Sequence, residues 1–276
     1  MQTILDKIVA QTAEALAQKK KKVSRSDFAS FEAYDRPRLD FKSALHGGKV
    51  SGSGALEHDG QVRIIAEVKK ASPSKGVIRA DFEPLKIAEA YMKAGASALS
   101  VLTEPYFFQG DLDFLRQIRA EFELPALRKD FIIDEYQIEE ARAYGADAVL
   151  LIAGITDGHQ LQELHHAATE AGMQCLVECY TEAEFQSLNF NQVEILGVNN
   201  RNLKTFEVNL HGGLELLAKA PDHVLRVSES GIGSGADLRT IAEYGSHAAL
   251  IGEHFMRQPD PEEALRKMLD EFAASA

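Results

Sequence analysis

Glu67 and Lys69 close the apolar run Val62, Ile64, Ile65, Ala66 and Val68. In an extended strand, residues two apart project from the same side, so a carboxylate and an ammonium emerge together. Burying both is costly unless they pair or perform chemistry, and a salt bridge capping a strand would account for this pair alone. The same arrangement recurs, however. Short apolar runs also finish in Thr103-Glu104, Arg128-Lys129-Asp130, Glu178-Cys179, Asn199-Asn200-Arg201, Ser228-Glu229-Ser230 and Gly252-Glu253. Two lysines and three carboxylates gathered in one basin would push their proton affinities apart and supply an acid and a base near neutral pH. Ser72-Pro73-Ser74-Lys75-Gly76 combines hydroxyls, a cation and a flexible glycine, which suits an anionic ligand. Pro105-Tyr106-Phe107-Phe108-Gln109-Gly110 is an aromatic loop able to hold a flat ring.

Repeated βα units would bring such ends together. Strands are expected near 62–69, 98–103, 125–130, 148–153, 174–179, 193–199, 223–229 and 248–252. Between them, amphipathic stretches predict helices near 84–94, 111–122, 134–144, 158–172, 181–188, 208–219 and 234–244, with a last one near 261–273. Eight such units in about 210 residues predict a (β/α)₈ TIM barrel of the α/β class. Gly95, Gly145 and Gly245 each sit between a helix and a strand at separations of 50 and 100 residues, and glycine suits the left-handed residue just past a helix. A doubly wound open sheet is the competing fold, but no Gly-x-Gly-x-x-Gly follows the first strand. In a barrel, ligands meet the carboxyl ends of the strands, and phosphate often binds the loops after the seventh and eighth. Here those loops are Ser230-Gly231-Ile232-Gly233 and Gly252-Glu253.

Residues 1–47 read as an extra helical extension and 48–276 as the barrel domain, with a short helix around 41–45 and a Gly- and Ser-rich connection at 47–60. The apolar side of the extension must be buried. It is expected to cover the active-site mouth and hold the 72–76 loop, so that its removal weakens substrate binding more than stability. Lys19 to Lys22 read as a solvated helix end rather than a binding patch.

With 42 acidic and 30 basic residues, the chain carries a net charge of −12, which argues against nucleic acid or an anionic membrane as partner. No apolar run approaches the ~20 residues of a membrane span, and Met1 to Lys7 lacks a signal-peptide pattern. Cys175 and Cys179 would lie roughly 13 Å apart on one strand, too far for a disulfide, so a reducing cytoplasm is expected. The nine histidines are scattered, and no Cys/His ligand spacing occurs. No metal is expected.

The motif Ile65-Ala66-Glu67-Val68-Lys69-Lys70-Ala71-Ser72-Pro73-Ser74-Lys75-Gly76 resembles the signature of indole-3-glycerol phosphate synthases. The similarity continues through Leu102-Thr103-Glu104, Phe107 to Gly110, Leu127 to Phe131, Val177-Glu178, Gly197 to Leu203, Ser228 to Ile232 and Ile251-Gly252-Glu253. It extends to Ile4 to Ile8 and Phe41 to Leu45, which resemble that family's extra N-terminal helices. The resemblance implies an enzyme of tryptophan biosynthesis, a carboxy-lyase without cofactor. Its substrate would be 1-(o-carboxyphenylamino)-1-deoxyribulose 5-phosphate, converted to indole-3-glycerol phosphate, carbon dioxide and water by ring closure, decarboxylation and dehydration.

By the same resemblance, Lys129 is the general acid of ring closure and Glu178 the general base of dehydration. Lys69 contacts the substrate carboxylate and is a second candidate acid, while Glu67, Asn199 and Glu229 orient substrate and lysines. Phe108 contacts the aromatic ring, and Ser72, Arg201 and Ser230 bind substrate. Ser230, Gly231, Gly252 and Glu253 hold the phosphate. Many relatives carry serine at 253, and a glutamate beside a phosphate is unfavourable unless only its backbone N–H is used. The implied protein is a monomer acting on a small phosphorylated molecule, with transient contacts to other tryptophan-pathway enzymes. Another phosphosugar barrel enzyme such as an isomerase, or a non-catalytic binding barrel, are the alternatives.

Overall fold

The computed structural model describes residues 3–202 and 205–274. Met1, Gln2 and Leu203, which entered the sequence reading, lie outside the described residues. Eight parallel strands close into a barrel: β1 (Arg63–Val68), β2 (Ala98–Leu102), β3 (Ala126–Lys129), β4 (Ala148–Ile152), β5 (Gln174–Cys179), β6 (Ile195–Asn199), β7 (Leu225–Glu229) and β8 (Ala248–Ile251). The first strand pairs with both the second and the eighth, which closes the ring. The fold is the (β/α)₈ barrel expected, with N-terminal helices added.

The helices are α1 (Ile4–Lys19), α2 (Phe41–Leu45), α3 (Pro84–Ala94), α4 (Leu112–Glu121), α5 (Glu135–Ala143), α6 (Gly158–Glu170), α7 (Glu182–Gln186), α8 (Leu210–Leu217), α9 (Gly235–Glu243), α10 (Glu253–Met256) and α11 (Pro261–Ala273). The short α10 was not anticipated, nor were the 3₁₀ turns Arg25–Ser30 and Ala153–Ile155 or the small antiparallel pairing of Ala71–Ser72 with Gly76–Val77. Pieces this short carry too few residues for a periodic signal. The three spaced glycines do adopt left-handed backbone, with φ of 96°, 85° and 71°.

Alternation sorts each strand into two surfaces. Ile64, Ala66 and Val68 join the layer between strands and helices, together with Leu99, Val101, Val149, Leu151, Leu196 and Val198. Ile65 faces the barrel interior with Leu127, Leu150, Leu176, Ile195, Val227 and Leu250. The interior is therefore a packed apolar core, as barrels require. Residues two further along those inward positions, namely Glu67, Lys129, Glu178, Gly197 and Glu229, emerge above that core at the carboxyl ends of the strands.

The N-terminal segment takes a longer path than a cover over the mouth. Thr3 and Asp6 form a capping box that starts α1. Ile4, Leu5 and Ile8 then reach the same cavity as Ser72, Pro73 and Ser74. The chain next fastens to α5, where Lys19 pairs with Glu140 at 2.5 Å, Lys20 with Asp134 at 2.6 Å and Arg25 with Glu135 at 3.0 Å. It then descends that helix, Tyr34 donating to Glu139 at 3.0 Å and Arg38 to the Arg142 carbonyl at 3.1 Å. Lys19 and Lys20 are thus fastening points, while the lysine run stays largely solvent-exposed, as expected from the sequence. Finally the Leu39 N–H donates to Asp147 and the Lys42 N–H to Gln174, at the amino ends of β4 and β5. Phe41 and Leu45 are fully buried there against the inner core. The segment contributes to the mouth at one end and plugs the floor at the other.

Candidate active site

At the carboxyl ends of the strands lies a cavity of about 410 Å³. It is lined by Glu67, Lys69, Ser72, Phe108, Lys129, Glu178, Asn199, Arg201, Glu229, Ser230, Gly231, Gly252 and Glu253. Every site residue expected from the sequence therefore meets in one place. Of the polar strand-end residues outside that set, Asp130 also borders the cavity, but its carboxylate is taken up by Arg128 and the Phe131 N–H; the others lie away from it. Arg128 and Asp130 have the opposite parity to Lys129: Arg128 is buried behind the barrel, donating to Asp130 at 2.9 Å and to Glu140 of α5 at 2.8 Å. Asn200 turns outward onto the Ser228 hydroxyl at 2.9 Å. Glu104 accepts the backbone N–H groups of Tyr106, Phe107 and Phe108 at 2.9, 2.7 and 3.0 Å, folding the aromatic loop so that Phe108 enters the cavity. These four shape the scaffold.

The charged floor is tightly knit. Lys129 Nζ donates to Glu229 at 2.5 Å and to Glu178 at 3.1 Å. Asn199 Nδ2 donates to the other oxygen of Glu178 at 3.4 Å, while its own Oδ1 accepts the Arg201 N–H at 3.0 Å. Lys69 Nζ donates to Glu67 beside them. Burial opposes the charge on Lys129, but Glu229, Glu178 and Glu67 outweigh it and hold its ammonium well above the ordinary lysine range. Burial also raises Glu229, to about 8; Lys129 pulls it down and Glu178 pushes it up. For Glu178, burial is overcome by Lys129 and by hydrogen bonds from its neighbours, so its carboxyl lies below the usual range. The two carboxyls separate, one as a proton holder and one as an ionised base.

Two glycines make that knot possible. In the register, Gly197 faces Glu178, and Asn199 faces Glu229. A Cβ at Gly197 would stand 2.2 Å from Glu229 Oε1, and one at Gly252 would stand 2.2 Å from Glu67 Oε1. Gly252 thus has a packing role besides any ligand contact.

Opposite the charges is an apolar wall of Leu102, Phe108, Phe131, Leu150 and Ile152, closed by Ile4, Leu5 and Ile8. The rings of Phe108 and Phe131 lie 6.0 Å apart. Apart from Phe108, this wall escaped the sequence reading, although inward parity could have marked Phe131, Leu150 and Ile152. At the other end, Ser230 and Gly231 are consecutive left-handed residues, with φ of 70° and 74°. A serine held there is strained, and it persists only because its surroundings enforce it. His254 and Arg257 of the α10 turn join this end and were also missed. The Ser72 hydroxyl is buried with no protein partner at the cavity edge, and among the described residues no cluster suited to a metal ion occurs.

A (β/α)₈ barrel with an acid–base cluster, an apolar wall and glycine loops at its carboxyl face is the architecture of an enzyme for a small phosphorylated aromatic substrate. The family profile described as indole-3-glycerol phosphate synthase matches residues 5–268. Enzymes of that name from Salinibacter ruber and Chromobacterium violaceum are 48% and 46% identical, over 96% and 100% of this chain and 95% and 100% of theirs. The chain belongs to the indole-3-glycerol phosphate synthase family. It is a carboxy-lyase of tryptophan biosynthesis, which sets aside the isomerase and binding-protein alternatives. Among solved structures, a 3-hexulose-6-phosphate synthase from Salmonella typhimurium superposes with a TM-score of 0.64 at 16% identity, covering 78% of this chain and all of that one. A tryptophan synthase alpha-subunit variant from Pyrococcus furiosus gives 0.58 at 13%, covering 79% and 99%. At those identities the likeness concerns the fold.

Proposed function

We propose that the charged floor performs the ring closure and dehydration of 1-(o-carboxyphenylamino)-1-deoxyribulose 5-phosphate, with the aromatic ring on the apolar wall and the phosphate at Ser230, Gly231, Gly252 and the Glu253 backbone. Lys129 is the acid that protonates the ribulose carbonyl oxygen as the ring carbon attacks, where negative charge develops. Loss of carbon dioxide then restores aromaticity, a step that needs no redox cofactor. Glu178 removes the proton in dehydration, while the hydroxyl formed at ring closure leaves as water with a proton from Lys69, the second acid of the rim. Lys69 binds the substrate carboxylate while Glu67 holds Lys69, and Asn199 and Glu229 orient Glu178 and Lys129. Ser72 and Arg201 complete the contacts, the former through its unpartnered buried hydroxyl.

The observation that carries these roles is the single lysine shared by two carboxyls whose proton affinities diverge. Residues 1–47 act as a helical extension on a barrel domain of 48–276, its first turns forming the mouth. A monomer in the cytoplasm fits two buried, free cysteines, and no described helix is long and apolar enough to cross a membrane. Exposed Val77, Tyr106 and Tyr180 leave apolar surface for transient contact with neighbouring pathway enzymes.

The test is to incubate the pure protein with the carboxyphenylamino ribulose phosphate and follow indole fluorescence. The indole product, indole-3-glycerol phosphate, should appear together with carbon dioxide. Consumption of the sugar without formation of the indole ring would overturn the assignment.

A further inference from the structure

Where that reading places the phosphate, a carboxylate already lies between two guanidinium groups. Arg201 Nη2, on the loop after β6, donates to Glu253 Oε2 at 3.2 Å. Arg257 Nε, one helical turn beyond Glu253, donates to Oε1 at 3.1 Å. The side chains of Arg201 and Glu253 are 21% and 27% exposed, and that of Arg257 is 50% exposed. All three line the cavity with Ser230, Gly231 and Gly252. A guanidinium fork accepts a carboxylate or a phosphate by the same paired N–H donation, so the two anions compete for Arg201. A dianion arriving beside an unmoved carboxylate would be repelled.

We propose that the Glu253 side chain is a built-in competitor for the phosphate subsite, occupying Arg201 in the resting enzyme and yielding it to the incoming phosphate while Arg257 retains the displaced carboxylate. The inference rests on the assignment of this end of the cavity to phosphate. Binding exchanges one ion pair for another instead of adding a bare one. The product is also a phosphate ester, and the returning carboxylate assists its departure. A doubly charged phosphate monoester outcompetes the carboxylate where a singly charged anion does not, so Glu253 sets selectivity as well as affinity.

Inorganic phosphate is the probe, titrated calorimetrically into the full-length enzyme at fixed pH and ionic strength. Glu253→Gln should bind it about tenfold more tightly than the wild type, a change of about 1.4 kcal/mol, and Glu253→Ser should shift it the same way. Arg257→Met should weaken phosphate binding several-fold in the wild type and leave it unchanged in Glu253→Gln, because there is then no carboxylate to retain. Equal or weaker binding by both Glu253 variants would overturn the proposal and make Glu253 a support for Arg201. Equal losses from Arg257→Met in both backgrounds would show direct contact with phosphate, and would overturn it too. If the wild type makes indole and binds phosphate competitively with substrate, failure of these shifts concerns Glu253 alone. If the wild type does not bind phosphate in competition with substrate, the subsite assignment and the proposal fall together.

Discussion

Lys129 is the residue on which the chemistry turns, because both carboxyls that could take part in proton transfer touch it. Replacing it by Met should lower kcat by ~10²–10⁴-fold, the usual worth of a positioned acid. An unchanged circular dichroism spectrum would confirm that the fold survives. Glu229 gives the site a pH signature. With its carboxyl raised to about 8, the trio at pH 7 is one ammonium, one carboxylate and one neutral acid, with no net charge. Above pH 8 the trio gains a negative charge facing a substrate that carries a carboxylate and a phosphate. The value of kcat/KM should therefore fall above about pH 8, and Glu229→Gln should shift that decline to higher pH; a decline at the same pH in the variant would assign it elsewhere. The sequence displayed these residues plainly but not their separation from Arg128 and Asn200, which share their chemical types. Parity separates them: Lys129 lies two residues beyond the inward Leu127, whereas Arg128 lies two beyond Ala126 of the outer layer.

Among the elements, α1 and α2 divide two tasks that the sequence reading had merged. Deleting 1–20 removes Ile4, Leu5 and Ile8 from the cavity wall. KM should rise about tenfold, or about 1.4 kcal/mol, with a modest fall in Tm. Deleting 1–45 also removes Phe41 and Leu45, which are fully buried beneath the barrel. Losing a buried side chain of that size costs about 2–5 kcal/mol, so Tm should fall steeply, contrary to the expectation from sequence that stability would change little. Equal melting temperatures for the two truncations would refute this division. The helical periodicity of residues 4–19 was legible. The direction in which the chain ran from mouth to floor was not, because it depends on single contacts such as the Leu39 N–H to Asp147, between residues 108 positions apart.

At the scale of the molecule, the eight barrel strands and the helices expected between them followed from alternation and periodicity to within two residues at their ends, whereas the amino end of the barrel holds a feature that no pattern signalled. His247 packs against the rings of His46 and His58, at centroid separations of 5.7 and 5.4 Å. Its Nδ1 accepts the Arg226 N–H at 3.1 Å. Burial, with His58, Arg226 and His46 nearby, lowers its pKa from 6.5 to about 3. The folded state thus favours the neutral ring, so this contribution to stability is complete above pH 6.5 and is lost as pH falls toward 3. Asparagine can still accept the Arg226 N–H and cannot be protonated in this range. His247→Asn should therefore flatten the decline of Tm with acidification below pH 6.5; parallel declines would show that the ring is not the titrating group.

The claim that Lys129 and Glu178 serve different steps is tested most directly by single-turnover quench, following carbon dioxide and indole separately in Lys129→Met and Glu178→Gln. The account predicts that Glu178→Gln releases carbon dioxide at close to the wild-type rate but forms indole slowly, while Lys129→Met is slow in both. Carbon dioxide and indole delayed together, and equally, in both variants would contradict it.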